Sequence, residues 1–225
     1  MLVRHSITKS VKAIVDNDLA IQDALQRGYA NYSAIARMIK PSVSAMLHKD
    51  VSIDGIVTAL KRLRYNYSIP SKSTSSIIAE SKVSVRTDVA KISIVKNRST
   101  IEKVSIPLKE HYDSFISVSE GIKSVTMIFD DIILERMKSL FQEHLLEQED
   151  DLAAIIVQSP EEIIKTPGCA LVFYNQLARR RINIDDTISC YTDTIIVVKM
   201  DDVARAFNAL TDLIVENRNA IERGA

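Results

Sequence analysis

The chain holds no tryptophan, two cysteines, five glycines and five prolines in 225 residues, and aromatic residues make up only 5%. Cys169 and Cys190 cannot staple a fold, so a disulfide-built secreted scaffold is excluded. The scarcity of glycine and proline excludes collagen-like and low-complexity chains. With so few aromatics, a core has to come from Ile, Val, Leu and Ala, within a hydrophobic share of 46%. Apolar runs are short (Ile195–Val198 is typical), against the roughly 20 residues needed to cross a bilayer. The opening MLVRHSITKS lacks the apolar segment of a signal peptide. These absences lead to the expectation of a cytoplasmic globular protein with reduced thiols and no membrane association.

Net charge is also missing, with 29 Lys and Arg against 29 Asp and Glu, but the charges are unevenly spread. Residues 1–70 carry ten basic and five acidic side chains, and residues 71–225 carry nineteen and twenty-four. A modestly basic first third hints at an anionic partner. The sign changes beside IPSKSTSSIIAESK (Ile69–Lys82), a serine-rich stretch with a proline. The expected organisation is therefore a helical module over 1–70, a linker over 71–85, and two further units over 86–150 and 151–225.

Within the first module, apolar residues from Val11 to Leu25 recur at helical spacing, interrupted near Asp16–Asp18 and stopped at Arg27–Gly28. Asn31 is placed to cap a second helix expected to end before Pro41, and Ser52 to cap a third that ends in Lys61, Arg62 and Arg64. The pair resembles a helix-turn-helix, although Lys40–Val51 is long for its turn. In that motif the start of the second helix reads bases, and here the start carries Asp54, which phosphate would repel. Two readings stay open: a helical docking or dimerisation module, or a nucleic-acid contact through Lys61, Arg62 and Arg64.

The remainder reads as a repeat. At a shift of 71 positions, SVTMIFDDIILERMKSL from Ser124 falls on IIVVKMDDVARAFNAL from Ile195. Each segment is a β-branched run closed by paired aspartates, Asp130–Asp131 and Asp201–Asp202, expected to cap the following helix. HYDSFISVSEG from His111 falls on INIDDTISCYT from Ile182, and the helical stretches near Arg98 and Gly168 correspond. The first strands, VAKISIV from Val89 and LAAIIVQ from Leu152, correspond if the second copy has an insertion after Gln158. Each copy reads β–α–β–β–α, the order of a ferredoxin-like unit without its fourth strand. That closing strand is expected from elsewhere in the chain or from another subunit. The acid-rich Glu143–Asp151 is expected to be the solvated end of a long helix begun at Asp131.

In the second copy, Pro167–Gly168 precedes a helix ending in Ile182–Asn183–Ile184, followed by Ile188–Ser189, Asp193–Thr194 and the strand Ile195–Val198. Over Thr166–Leu210 this resembles the ACT domain of aspartokinases. The first copy has Asn97, Arg98 and Ser99 in place of the Pro-Gly step and is the degenerate partner. The resemblance implies an α+β protein in which an N-terminal helical module is followed by two ferredoxin-like βαββα(β) ACT units. It also implies a small effector, most often an amino acid, bound where units pack together, in a homodimer. The implied ligand contacts are Pro167, Gly168, Cys169, Ala170, Asn183, Ile184 and Asp185. Physically, Gly168 admits a close backbone approach and free amides for a carboxylate, while Asn183 and Asp185 suit an ammonium group.

No GxxxxGK[ST], GxSxG, HExxH or CxxC spacing occurs, and the histidines (His5, His48, His111 and His144) are scattered. The chain is expected to be non-catalytic, with no cofactor and no metal. Three functions remain open: an amino-acid-sensing regulatory protein, an amino-acid-responsive DNA-binding regulator, and a structural or regulatory subunit of a separate enzyme. Cys169, at a helix start, is expected to have a depressed thiol pKa.

Overall fold

The computed structural model describes residues 6–64 and 72–224. The chain divides into two compact units, Met1–Ser71 and Lys72–Ala225. The structure is α+β, with one antiparallel sheet and, among the described residues, nine α-helices. No helix among those residues is long and apolar enough to cross a membrane.

The first unit contains α1 (Ile7–Asp16), α2 (Leu19–Arg27), α3 (Tyr32–Leu47) and α4 (Ile53–Leu63). Side chains supply the caps: Asp18 accepts from the Ile21 amide, Asn31 from Ala34 and Ser52 from Gly55. Gly28, at φ 79°, ends α2 in the left-handed conformation that glycine adopts without a Cβ clash. Val11, Val15, Leu25, Val43, Ile56 and Leu60 are fully buried in the unit's own core. One expectation fails. Pro41 does not end α3, which runs six residues beyond it to Leu47. Ile39 and Val43 are buried on either side of the proline, and keeping both in the core outweighs the one backbone bond that Pro41 cannot donate. Only residues 48–52 therefore connect α3 to α4, where the sequence suggested Lys40–Val51.

The second unit begins with α5 (Lys72–Glu80) and β1 (Lys82–Val95), where a linker over 71–85 was expected; residues 65–71 lie outside the described residues. Ile77, Ile78 and Ala79 are buried, which explains why this serine-rich segment is helical rather than loose. Then come α6 (Arg98–Glu110), β2 (Ile116–Glu120), β3 (Ser124–Asp130), α7 (Leu134–Phe141) and β4 (Leu145–Gln158). The chain ends with α8 (Cys169–Arg179), β5 (Asp186–Cys190), β6 (Asp193–Lys199) and α9 (Val203–Gly224). The sheet order is β2-β3-β1-β4-β6-β5.

The register shows where the closing strands come from. Residues 89–95 of β1 pair with β3 on one side and with the first half of β4 on the other. The second half of β4 pairs with β6 and, on its other side, with residues 82–86 of β1. Each copy's first strand is thus double length, and its extra half edges the other copy's sheet. The halves meet at Asp88 (φ 58°) and Asp151 (φ 57°), where the β1–β4 register shifts.

Three clusters fill the unit. Ile92, Ile94, Met127, Phe129, Met137 and Phe141 pack under α7. Ile155, Val157, Ile196 and Val198 pack with Phe173 and Leu177 of α8 and Leu210 of α9. Alternate residues of the same strands point the other way, and Val89, Ile128, Leu152, Ala154 and Val197 form a third buried cluster spanning both halves.

The ladder also corrects the repeat overlay. Ser124 and Asp193 hold equivalent places, as do Asp130 and Lys199, a match two residues earlier than the sequence overlay. The paired aspartates are therefore not equivalent, and no side chain caps α7 or the 3-10 turns Asp131–Ile133 and Met200–Asp202. Glu143–Asp151 is not the end of a long helix either. From Leu145 it is strand, paired with residues 89–94 of β1, and this register brings Glu149 and Glu147 to Lys91 at 2.6 and 3.9 Å.

Candidate functional site

The second copy carries an insertion between β4 and α8. A short 3-10 turn, Glu161–Lys165, follows Pro160, and the Thr166 hydroxyl donates to the Glu162 carbonyl at 2.7 Å. Pro167 and Gly168 are exposed beyond it. Gly168 has φ 90°, and a Cβ placed there would meet nothing within 4 Å. The glycine serves the turn's handedness and leaves its backbone open to solvent. No side chain caps α8 at this position.

The first copy differs at the matching place. Asn97 accepts from the Thr100 amide at 3.0 Å, and Thr100 Oγ1 accepts from the Asn97 amide at 2.9 Å. This reciprocal capping box uses the amides that α8 leaves without a side-chain partner.

Cys169 is buried beside Thr74 of α5, which favours its thiolate. Burial outweighs that influence and pushes the thiol pKa up, against the expected depression. Ala170, the next residue, is half-buried.

Asn183, Ile184 and Asp185 lie past the other end of α8. Arg181, at φ 54°, turns the chain, and Ile182 is buried in the core. Ile184 packs partly against that core, and the Asp185 amide donates to the Val197 carbonyl at 2.9 Å, extending the β5–β6 ladder. The exposed Asn183 donates to Asp185 Oδ1 at 3.4 Å, whereas Asp185 Oδ2 is buried without a hydrogen-bond partner. Lys199 interacts electrostatically with Asp185, and its pKa is raised chiefly by its hydrogen bond to Glu149.

The structure does not bring the two groups of candidates together within a chain. They sit at opposite ends of an 11-residue helix, about 16 Å long at 1.5 Å per residue. An amino acid touching both groups would need a second copy of the chain.

Two cavities lie elsewhere. One, of 280 Å³, is lined by Asp88, Asp131, Leu134, Asp150, Asp151, Leu152 and Met200, at the bends of the long strands. Sequence reasoning missed it, because its carboxylates are scattered along the chain and meet only through the β1–β4 pairing. Among the described residues, no group of three or more His, Cys, Asp or Glu is placed to hold a metal ion. The other cavity, of 480 Å³ in the helical unit, is lined by Tyr32, Thr58, Lys61, Arg62 and Arg64 and so gathers all three cations singled out from the sequence.

No family model matches the chain, and no curated protein matches it in sequence. Among solved structures, the aspartokinase α and β subunits are similar, at 10% identity and TM-score 0.51 over 63% of this chain and 98% of that one. The regulatory subunit of aspartate kinase from Thermus flavus is similar at 12% identity and TM-score 0.50, over 58% of this chain and 95% of that one. The likeness is one of fold. Clostridium acetobutylicum aspartate kinase matches at 17% identity and TM-score 0.49 over 59% of this chain, which spans only 34% of that enzyme.

Proposed function

We propose that the chain is a non-catalytic regulatory protein whose second unit is a pair of ferredoxin-like ACT units binding an amino acid, working as a homodimer. The observation that carries this reading is the doubled β1–β4 ladder with its β–α–β–β–α repeat, in a fold shared with aspartokinase regulatory subunits. The ligand site consists of Pro167, Gly168, Cys169 and Ala170 from one copy with Asn183, Ile184 and Asp185 from its partner. The uncapped start of α8 receives the ligand carboxylate, and the Asn183 amide with the Asp185 Oδ1 beside it receives its ammonium group. Cys169 contributes its backbone amide only. The capping box of α6 makes the first copy a poor binder.

Calorimetry of the full chain with each of the twenty amino acids, lysine and threonine first, tests the reading. Binding at millimolar concentration or tighter, lost in Asp185→Asn, is expected. No binding by any of the twenty overturns it. A second reading, favoured by the separate-subunit form of the similar structures, is a regulatory subunit of another enzyme, read out by co-purification from native extract. Contact of the helical module with duplex DNA has less support. Its three cations gather at one end of α4, and the exposed Asp54 lies two turns back on the same helix face.

A further inference from the structure

The helical unit has a feature that amino-acid sensing does not use. Lys61, Arg62 and Arg64, at the end of α4, converge with Tyr32, at the start of α3, and Thr58 on one open cavity of 480 Å³. That volume falls in the ordinary range for small-molecule sites, roughly 300–1,000 Å³.

The cations have no acidic partner among the described residues. Among the described residues, no carboxylate forms an ion pair with Lys61, Arg62 or Arg64, and none lines the cavity. Two of the unit's other basic side chains are paired, Lys12 with Asp16 and Lys40 with Asp50, while Lys9, Arg37 and Lys49 form no ion pair among the described residues. Lys61 and Arg64 stand at an i, i+3 spacing, where like charges oppose helix formation. An anion in the cavity would turn that repulsion into attraction.

Arg64 also lies beside the end of α2. Its Nη2 lies 3.1 Å from where a Cβ on Gly28 would be, so the glycine that ends α2 also makes room for the guanidinium. The Thr58 hydroxyl donates to the Asp54 carbonyl and keeps its lone pairs, whereas Tyr32 offers a phenol and a flat ring.

We propose that this cleft is a binding site for a phosphorylated small molecule of nucleotide size, with Lys61, Arg62 and Arg64 around the phosphate and Tyr32 as the wall for a planar ring. A guanidinium fork matches phosphate oxygens two at a time, and a flat ring stacks on an aromatic face. A compact ligand suits the cleft better than a duplex. Duplex DNA would bring further phosphates along α4 towards Asp54, about 10 Å from Lys61 at 1.5 Å per residue.

The test uses the full chain with AMP, inorganic pyrophosphate and adenosine in calorimetry, and a short random duplex in fluorescence anisotropy. AMP and pyrophosphate bind, adenosine does not, and the duplex does not shift at moderate salt. Arg64→Gln and the double variant Lys61→Ala/Arg62→Ala each weaken AMP by about tenfold or more, as expected on losing a charge-assisted contact. Both keep the wild-type circular dichroism spectrum, since these side chains are exposed. Lys109→Ala, in the other unit, leaves AMP binding unchanged. Failure of both AMP and pyrophosphate to bind at millimolar concentration overturns the proposal. So does duplex binding that falls steeply with salt and is lost in the same variants, because the site would then be a nucleic-acid contact. Amino-acid binding by the second unit is a separate measurement, and its outcome does not bear on this one.

Discussion

Arg86 and Glu149 stand at the same step of β1 and β4, each two residues before the bend at Asp88 or Asp151. Each grips the last residue of the neighbouring hairpin strand. Arg86 holds Asp130 at the end of β3, with Nη2 to Oδ2 at 2.7 Å, and Glu149 holds Lys199 at the end of β6 at 3.0 Å. The two pairs occupy equivalent places with reversed polarity. Arg86 also lies over the Phe115 ring, 5.5 Å from its centroid, and Glu149 also takes Lys91. The repeat has kept the geometry of the tie and exchanged its charges.

A charge swap tests that equivalence. Arg86→Glu or Asp130→Lys alone places like charges together and destabilises by about 1 kcal/mol, the half-exposed arginine being screened by solvent. The double variant Arg86→Glu/Asp130→Lys regains the charge-pair part of that loss, because it reproduces the polarity of Glu149–Lys199, while the Phe115 amide and ring stay without their partners. Urea denaturation of the four proteins measures the coupling.

The bends make a backbone prediction. Asp88 and Asp151 adopt positive φ, which glycine tolerates and a β-branched residue does not. Asp151→Gly is close to neutral, whereas Asp151→Val destabilises by about 2 kcal/mol from left-handed strain and lost pairing at the bend. The midpoint of chemical unfolding separates the two outcomes.

Acid sensitivity follows from the same pairs. Burial alone would raise the Asp130 pKa, but the Arg86 hydrogen bonds and the Phe115 amide outweigh it and hold the carboxyl below its ordinary 3.8. The Lys91 hydrogen bond chiefly holds Glu149 below its ordinary 4.5, against burial. Both groups therefore stabilise the fold fully above their unfolded values, and that stability is lost as pH falls through the lower folded ones. Stability should drop from about pH 4.5 downward. Asp130→Asn combined with Glu149→Gln should lower stability at neutral pH and flatten the acid slope, as followed by unfolding from pH 7 to 2.

The thiols make a chemical prediction. Cys190 is exposed on the edge strand β5, whereas Cys169 is buried with its pKa raised by burial. A thiol reagent at neutral pH should label one cysteine per chain quickly, and the second only on unfolding. Cys190→Ser removes the fast phase. A fast second phase in that variant would show that the start of α8 opens readily.

Much of the fold is readable along the chain because it is local. Asp18, Asn31 and Ser52 cap from within three residues, Gly28 ends α2 by its own φ, and the β–α–β–β–α order follows from short-range periodicity. The candidate loop at Pro167–Gly168 is legible for the same reason, since a Pro-Gly step announces a turn wherever it lies. The failures share the opposite cause. Pro41 stays helical because distant core residues hold both sides of it, and the acid-rich stretch turns to strand from Leu145 because residues 89–94, far back in the chain, pair with it. Composition and periodicity determined that the protein has an α-helical module and a doubled α+β unit. Tertiary structure alone decided that the two copies lend each other half a strand, that the candidate ligand groups sit at opposite ends of α8, and that three cations share one cleft. These depend on pairings between residues far apart in the sequence, and no local propensity encodes them.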